Sequence, residues 1–462
     1  MKPHLSLLTL CLLLGACGST AQRPDSGIQP PSSWQSPHTQ NATHRNLQWW
    51  TQFGSPELDR LIEQARVGSY DLAAAIARVR QAQADTVIAG GSLLPEVKAG
   101  LNANRQKLLR GSGYSQLDAD SSNKAVDYFD ANLSATYEID FWGGQRASRD
   151  SAQFGLQASE FDQATVELTL LSGVANSYAQ ALSLREQSRI AGLNLANAQN
   201  VLNLVQTRFD SGSATALELA QQKSLVAAQQ RQLPLVQQQA QDALISLAAL
   251  LGRPVQQLRL GAERFEQLSW PTIAAGVPSE LLTRRPDIAR AEAQLAAAQA
   301  DVTVARAAML PAVTLSAELG SGADRAADIL RNPFYNLTAG LLAPVFNNGR
   351  LSAERDKATA RQEELLENYR GAIINGFADV EKALNGIRGL DEQRQWQVEE
   401  LNQAQTAFNI AQSRYEAGAE DLLTVLETQR TLYAAQDLNV QLRLSRLQAS
   451  IALYKALGGG WQ

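Results

Sequence analysis

The sequence predicts a mainly α protein with a small set of β-strands, made from one strand–strand–long-helix–helix unit written twice. Three observations predict it. First, the chain repeats itself: Arg208 to Gln221 reads RFDSGSATALELAQ and Arg414 to Glu427 reads RYEAGAEDLLTVLE, an offset of 206 (414 − 208). Second, a few short stretches alternate apolar and polar residues with the period of a strand. Third, long proline-free stretches carry apolar residues at helical steps of three and four.

The N-terminus comes first. MKPHLSLLTLCLLLGAC puts one lysine ahead of an apolar run from Leu5 to Leu14, which reads as a signal peptide over 1–16 and is too short to span a membrane as a helix. Leu14-Gly15-Ala16-Cys17 resembles the bacterial lipoprotein processing box and implies cleavage before Cys17 with lipid on its thiol and amine. Cys11 leaves with the signal, so the mature chain has no second cysteine for a disulfide. Gly18 follows, where aspartate would favour retention in the inner membrane. Residues 18–46, rich in Pro, Ser, Gln and Thr, read as an extended tether with too few apolar residues to fold alone.

The two copies then run in parallel. Gln83-Ala84-Asp85 precedes Leu94-Pro95 as Gln299-Ala300-Asp301 precedes Leu310-Pro311, while Gly212 matches Gly418 and Leu251-Gly252 matches Leu457-Gly458. The first copy carries an insertion, placed in the polar loop Gly111 to Ala125. Each copy opens with an alanine-rich helix, about 57–92 and 286–309. Strands follow at about 95–106 and 128–142, then at about 311–320 and 335–346. Val97, Ala99, Leu101 and Ala103 share a face, as do Phe129, Ala131, Leu133, Ala135, Tyr137, Ile139 and Phe141, and Val313, Leu315, Ala317 and Leu319. The fourth strand is less regular because Leu342 breaks the alternation. An apolar face opposite a polar one fits a half-buried sheet or a transmembrane barrel. Four strands are too few for a barrel, so that reading requires an oligomer.

Long helices come next, about 147–210 and 351–416, each followed by a glycine turn and a return helix, about 214–251 and 420–457. At 1.5 Å per residue the first spans roughly 90 Å and needs helical partners along its length. Phe161, Ala164, Leu168, Leu171, Ala175, Tyr178 and Leu182 supply a heptad-like seam, and Ile373, Phe377, Val380, Leu384 and Ile387 supply the second. Gly212 and Gly418 suit the left-handed position after a helix.

Composition excludes several functions. The net charge of −5 argues against nucleic acid as a partner. The three histidines are His4, His38 and His44, so the body from Leu47 onward lacks His and Cys. That removes His- or Cys-based metal sites, Cys nucleophiles and Ser-His-Asp triads. No catalytic residue, metal site or cofactor is expected.

Several stretches are specific: Trp49, Trp50 and Phe53; Arg284-Arg285-Pro286-Asp287-Ile288; the junctions Phe141 with Gly143-Gly144 and Pro344-Val345-Phe346 with Gly349-Arg350; and the ending Tyr454 to Trp461. In these residues the chain resembles the TolC-like outer-membrane factor family, in the OprM-like lipoprotein branch that serves resistance-nodulation-division efflux systems. The resemblance implies a homotrimer with a 12-stranded outer-membrane barrel and a 12-helix periplasmic tunnel. It makes 17–56 a lipidated tether and equatorial segment, 57–254 the first repeat, 255–285 an equatorial linker and 286–462 the second repeat. The implied function is an exit duct that conducts cargo passively from an inner-membrane transporter and a periplasmic adaptor (a membrane fusion protein) to the exterior. Its setting is outer-membrane lipid, with the protein extending into the periplasm.

The same resemblance assigns roles. Arg208, Phe209, Gly212, Arg414, Tyr415 and Gly418 fall at hairpin tips that dock the adaptor; turn formation and helix capping alone are the plainer account of them. Leu423, Glu427 and Arg430 recur at i, i+4 and i+7 on one helix face; Leu423 and Glu427 match the apolar and acidic constriction rings of a periplasmic gate and Arg430 an arginine near them, while a solvated Glu/Arg pair is the alternative. The first copy has Leu217 but Gln221 and Ser224 in the other two places, so only the second hairpin is expected to carry a charged gate. Arg285, Pro286 and Asp287 are expected to be structural. Two rivals are a periplasmic adaptor lipoprotein, with one hairpin between β-rich halves, and a periplasmic lipoprotein hydrolase, which needs catalytic residues the body lacks.

Overall fold

A computed structural model describes residues 25–36, 48–107 and 125–459. The signal peptide, Cys17, much of the tether, nearly all of the Gly111–Ala125 loop, and Gly460 and Trp461 lie outside the described residues. In chain order the elements are α1 (Pro56–Gly68), α2 (Tyr70–Gly91), β1 (Glu96–Gln106), β2 (Val126–Ile139), α3 (Gly144–Asp210), α4 (Ala216–Leu250), α5 (Pro286–Ala307), β3 (Ala312–Ala323), β4 (Pro333–Leu342), α6 (Arg350–Glu416) and α7 (Leu422–Ala456). The duplication is visible in their lengths: α3 and α6 have 67 residues each, α4 and α7 have 35, and α2 and α5 have 22.

Two boundaries differ instructively from the sequence expectation. The helix expected over 57–92 is two helices, broken at Ser69. Ser69 is extended there and its hydroxyl accepts from the Leu72 N–H at the start of α2, while a side chain on Gly68 would sit 2.7 Å from the Leu251 carbonyl oxygen, so glycine is needed where the end of α4 approaches. The strand expected over 335–346 ends at Leu342, just before the segment containing Pro344, which has no N–H to donate.

The chain divides into two compact units. The first comprises the described residues within 25–26, 78–159 and 291–369, and it contains a four-stranded antiparallel sheet in the order β1-β2-β3-β4. Its register aligns Ala99 with Leu133, Leu133 with Leu319, and Leu319 with Tyr335, so one face is apolar across all four strands. Leu342 pairs with Ala312 on the other face, which accounts for its break in the alternation. The apolar face is bare: Leu101 is 82% exposed, Leu319 60%, Leu337 73% and Leu341 72%. Both edge strands, β1 and β4, are exposed almost throughout, an arrangement that invites further pairing.

The second unit comprises 27–77, 160–290 and 370–462 and holds three apolar clusters. One gathers Trp49, Trp50 and Phe53 against the Leu170–Leu182 face of α3 and against Leu447 and Ile451 of α7. Trp49 stacks on Tyr454 with ring centroids 5.1 Å apart. A second cluster lies by the hairpin ends, around Val205, Phe408, Tyr415, Leu422 and Leu426. The third seats Trp34 among Leu281, Val380 and Leu453. Trp34 donates its indole N–H to the Gly276 carbonyl at 2.9 Å, and the Glu381 carboxylate accepts from the backbone of Gln35 and Ser36. The described end of the tether is therefore docked, with Trp34 and the Glu381 carboxylate among its holds.

Candidate functional site: the hairpin tips and the helix face beyond them

Both hairpins turn the same way. At the first tip, Gly212 has φ +76°, its N–H donates to the Phe209 carbonyl at 2.9 Å, and Ser213 N–H donates to Arg208 at 2.7 Å. At the second, Gly418 has φ +77°, its N–H donates to Tyr415 at 3.0 Å, and Ala419 N–H donates to Arg414 at 2.8 Å. A left-handed residue closes each helix, and glycine takes that conformation without steric cost. The return helices start on different caps. Thr215 forms a reciprocal capping box with Glu218, whereas the Asp421 carboxylate accepts from Thr424 N–H at 2.9 Å.

The matched arginines do different things. Arg414 stays in its own turn, donating to the Ala419 carbonyl at 3.3 Å and pairing with Glu420 at 3.2 Å. Arg208 crosses to the other hairpin. It donates to the carbonyls of Tyr415 and Glu416, so its charge meets the negative end of α6, and its guanidinium lies 4.3 Å from the centre of the Tyr415 ring. Tyr415 is 2% exposed and Phe209 is 37% exposed. Burial pushes the Tyr415 phenol up, with Arg208 opposing in part.

Beyond the second tip, Leu423, Glu427 and Arg430 share the exposed face of α7, opposite buried Leu422, Val425, Leu426 and Gln429. Among the described residues, neither Glu427 nor Arg430 has an ion-pair partner, although their spacing would permit one. Leu217 is exposed at the equivalent place on α4, with Gln221 half-buried and Ser224 exposed. The sequence thus placed the three residues on one face, and the structure leaves their charges unneutralised within the protomer.

Behind this face lies a polar layer that sequence reasoning missed. Gln222 donates to the Ala198 carbonyl at 2.8 Å, Gln397 to Ala435 at 2.9 Å, and the Tyr433 hydroxyl to Asn194 at 3.0 Å. These buried bonds cross between helices and fix their register. The available signal was glutamine recurring at apolar heptad places. A second missed cluster joins Ser55, Glu57, Tyr178 and Glu263. The Tyr178 hydroxyl lies 3.0 Å from Glu57 and 2.8 Å from Glu263. Burial tends to raise the Glu263 carboxyl, but hydrogen bonds from Ser55 and Tyr178 prevail and hold it below the usual range.

Arg285 is 8% exposed and bonds Asp287 through two nitrogens at 3.0 and 2.7 Å, Asp379 at 3.0 Å and the Ala456 carbonyl at 3.2 Å. It ties the starts of α5 and the end of α7 to α6. Burial alone would raise Asp287, but Arg285 outweighs it and holds the carboxyl below its ordinary value. Pro286 opens α5, where its missing N–H costs nothing. Among the described residues, no group of three or more His, Cys, Asp or Glu could hold a metal ion, and no helix is long and apolar enough to cross a membrane.

Comparison with known proteins gives a consistent picture. The sequence profile of the outer membrane efflux protein family matches residues 61–253 and 277–459, one match on each repeat. The pyoverdine export outer membrane protein OpmQ of Pseudomonas aeruginosa is 65% identical over 460 residues, covering 99% of this chain and 97% of that protein. The cation efflux system protein CusC of Escherichia coli O6:H1 is 28% identical over 467 residues, covering 99% of both. Among solved structures, the outer-membrane channel OprN superposes with a TM-score of 0.87 at 26% identity, covering 96% of this chain and 99% of that one. CusC superposes with 0.82 at 27% identity, covering 94% and 99%.

Proposed function

This chain belongs to the outer membrane efflux protein family and is an outer-membrane exit channel of an efflux system, and from that premise we propose that it is the pyoverdine-exporting duct of a tripartite pump, gated at Leu423, Glu427 and Arg430. Its fold is the family's mainly α fold with a membrane β-barrel, built from the duplicated unit and assembled as a trimer. Three copies of the four-stranded sheet make twelve strands, and closure consumes the exposed edges of β1 and β4. The bare apolar face then meets lipid and the polar face water. The protein sits in the outer membrane and extends into the periplasm.

The gate assignment rests on one observation: Glu427 and Arg430 are exposed and have no ion-pair partner among the described residues of the protomer, next to exposed Leu423. Around a threefold axis, like charges repel unless each Glu427 finds an arginine on a neighbouring protomer, and losing those pairs would let the tips spread. The tips themselves, Arg208 to Gly212 and Arg414 to Gly418, offer six similar ends to a periplasmic adaptor, which would link the duct to a resistance-nodulation-division transporter. Cys17 would carry the lipid that adds a second hold on the membrane. We read the chain as a conduit with no chemistry of its own. The adaptor reading calls for a single hairpin, and this chain has two. Pyoverdine is the cargo suggested by the 65% identity with OpmQ.

The test is Glu427→Ala. The isolated trimer in planar bilayers should leak small ions above the wild-type level, and a strain relying on this chain should still release pyoverdine. Unchanged conductance counts against the gate; normal pyoverdine release from a strain lacking the chain counts against the cargo.

A further inference from the structure

The polar face of the sheet carries an arrangement that conduction alone does not require. One row of the register runs Gly100, Asn132, Gly320, Phe334 across the four strands, and the neighbouring row runs Asn102, Asp130, Gly322. The ends of two aromatic side chains rest against the two β3 glycines. A Cβ built on Gly320 would have three Phe334 ring atoms at 2.5, 2.9 and 3.1 Å, the ring tip nearest, and one built on Gly322 would meet the Tyr128 hydroxyl and the ring carbon that bears it, the latter at 2.8 Å. A side chain at either glycine would displace the aromatic end that rests on it. Much of each aromatic stays open: Phe334 is 42% exposed and Tyr128 46%.

Beside the rings stand two acids with amide partners only. Asn102 donates to Asp130 at 2.9 Å and Asn132 to Glu318 at 3.3 Å. Neither has a cationic partner among the described residues, whereas Lys98 is paired with Glu96 at 3.0 Å. A flat aromatic face has negative potential at its centre, so rings and carboxylates favour the same kind of solute.

We propose that Tyr128 and Phe334, resting against Gly322 and Gly320 beside Asp130 and Glu318, form a binding platform in the exit pore for cargo bearing a flat, positively charged aromatic ring. The proposal rests on the reading that the polar face of the sheet lines the pore. Stacking supplies the ring preference and the carboxylates the charge preference. Three copies around the axis would hold such cargo transiently near the loop ends of the strands.

The probe is N-methylquinolinium, titrated by fluorescence anisotropy into the detergent-solubilised trimer, with tetramethylammonium as a cation without a ring. Phe334→Leu and Tyr128→Leu keep the glycines covered but remove the π face. Each should weaken N-methylquinolinium binding about fivefold, the factor that ~1 kcal/mol of cation–π contact represents. Asp130→Asn should weaken it comparably, whereas Phe334→Tyr should bind within about twofold of the wild type. Heat-stable trimers on a gel, before and after each substitution, separate a packing role from a binding one. Equal binding by Phe334→Leu, loss of binding in Phe334→Tyr, or competition by tetramethylammonium at equal concentration would overturn the platform. Trimers that still conduct ions in planar bilayers while failing this test leave the channel reading standing.

Discussion

Arg208 and Arg414 occupy matched places in the repeat, yet only Arg208 crosses between hairpins, so Arg208→Ala should loosen the tips far more than Arg414→Ala. The substitution removes hydrogen bonds from a charged group to the carbonyls of Tyr415 and Glu416, and a guanidinium 4.3 Å from the Tyr415 ring centre. Hydrogen bonds from a charged donor contribute about 1.5–3 kcal/mol, and a cation–π contact at a partly exposed site about 0.5–1 kcal/mol. Together they amount to roughly 3 kcal/mol of local stability, about a hundredfold in the opening equilibrium. Arg414 makes one bond at 3.3 Å and an exposed ion pair, a combination expected to contribute about 1 kcal/mol or less. Hydrogen exchange of the Gly418 and Ala419 amides, which close the second turn, reads both. Arg208→Ala should speed exchange about a hundredfold and Arg414→Ala by no more than about fivefold. Equal effects from the two substitutions would refute the crossing tie as the source of rigidity.

Three further outcomes are expected. Gly252→Ala should prevent a heat-stable trimer from forming, because φ is +67° there and the new methyl would collide with the Gly68 carbonyl; an unaltered melting profile would contradict this. Acid should weaken the helical unit. Asp287 and Glu263 are held below their ordinary values of 3.8 and 4.5, so their contributions are complete above those values and fade as pH falls through the lower folded ones. Asp287→Asn should flatten the acid limb of a thermal-stability profile, and an unchanged limb would exclude Asp287 as a contributor. Trp34→Ala, which empties a seat 5% exposed, should cost about 3 kcal/mol or more of local docking and open residues 25–36 to limited proteolysis; unaltered cleavage would contradict it.

The duplication was legible because it is written in residues that the backbone requires. Gly212 and Gly418 close the two tips, and Gly252 and Gly458 both take positive φ against a carbonyl, of Gly68 and Arg284 respectively. The alternation of β1 to β3 was legible because one face is apolar without interruption. What could not be read was pairing between distant elements. Nothing in RFDSG or RYEAG distinguishes the arginine that reaches across from the one that turns back; that depends on which hairpin lies beside which. The Ser55–Glu57–Tyr178–Glu263 cluster was hidden for the same reason, since its members come from three separate segments. The break at Ser69 was written in Gly68-Ser69, a poor helix former followed by a residue whose hydroxyl accepts from the Leu72 N–H, but the helix-favouring sequence on either side of it obscured that signal. On the gate, sequence gave a shared face, but whether Glu427 and Arg430 neutralise each other is a matter of rotamer and surroundings.

The docked tether has a consequence for where this protein can sit. Trp34 is fixed in the helical unit, and Cys17 precedes it by about 17 residues, a stretch whose greatest reach is roughly 60 Å. With a lipid on Cys17, the chain becomes a ruler: the seat of Trp34 can be no farther than that from the membrane surface. Lengthening the segment would relax the limit, and shortening it would set the anchor against the barrel for control of depth.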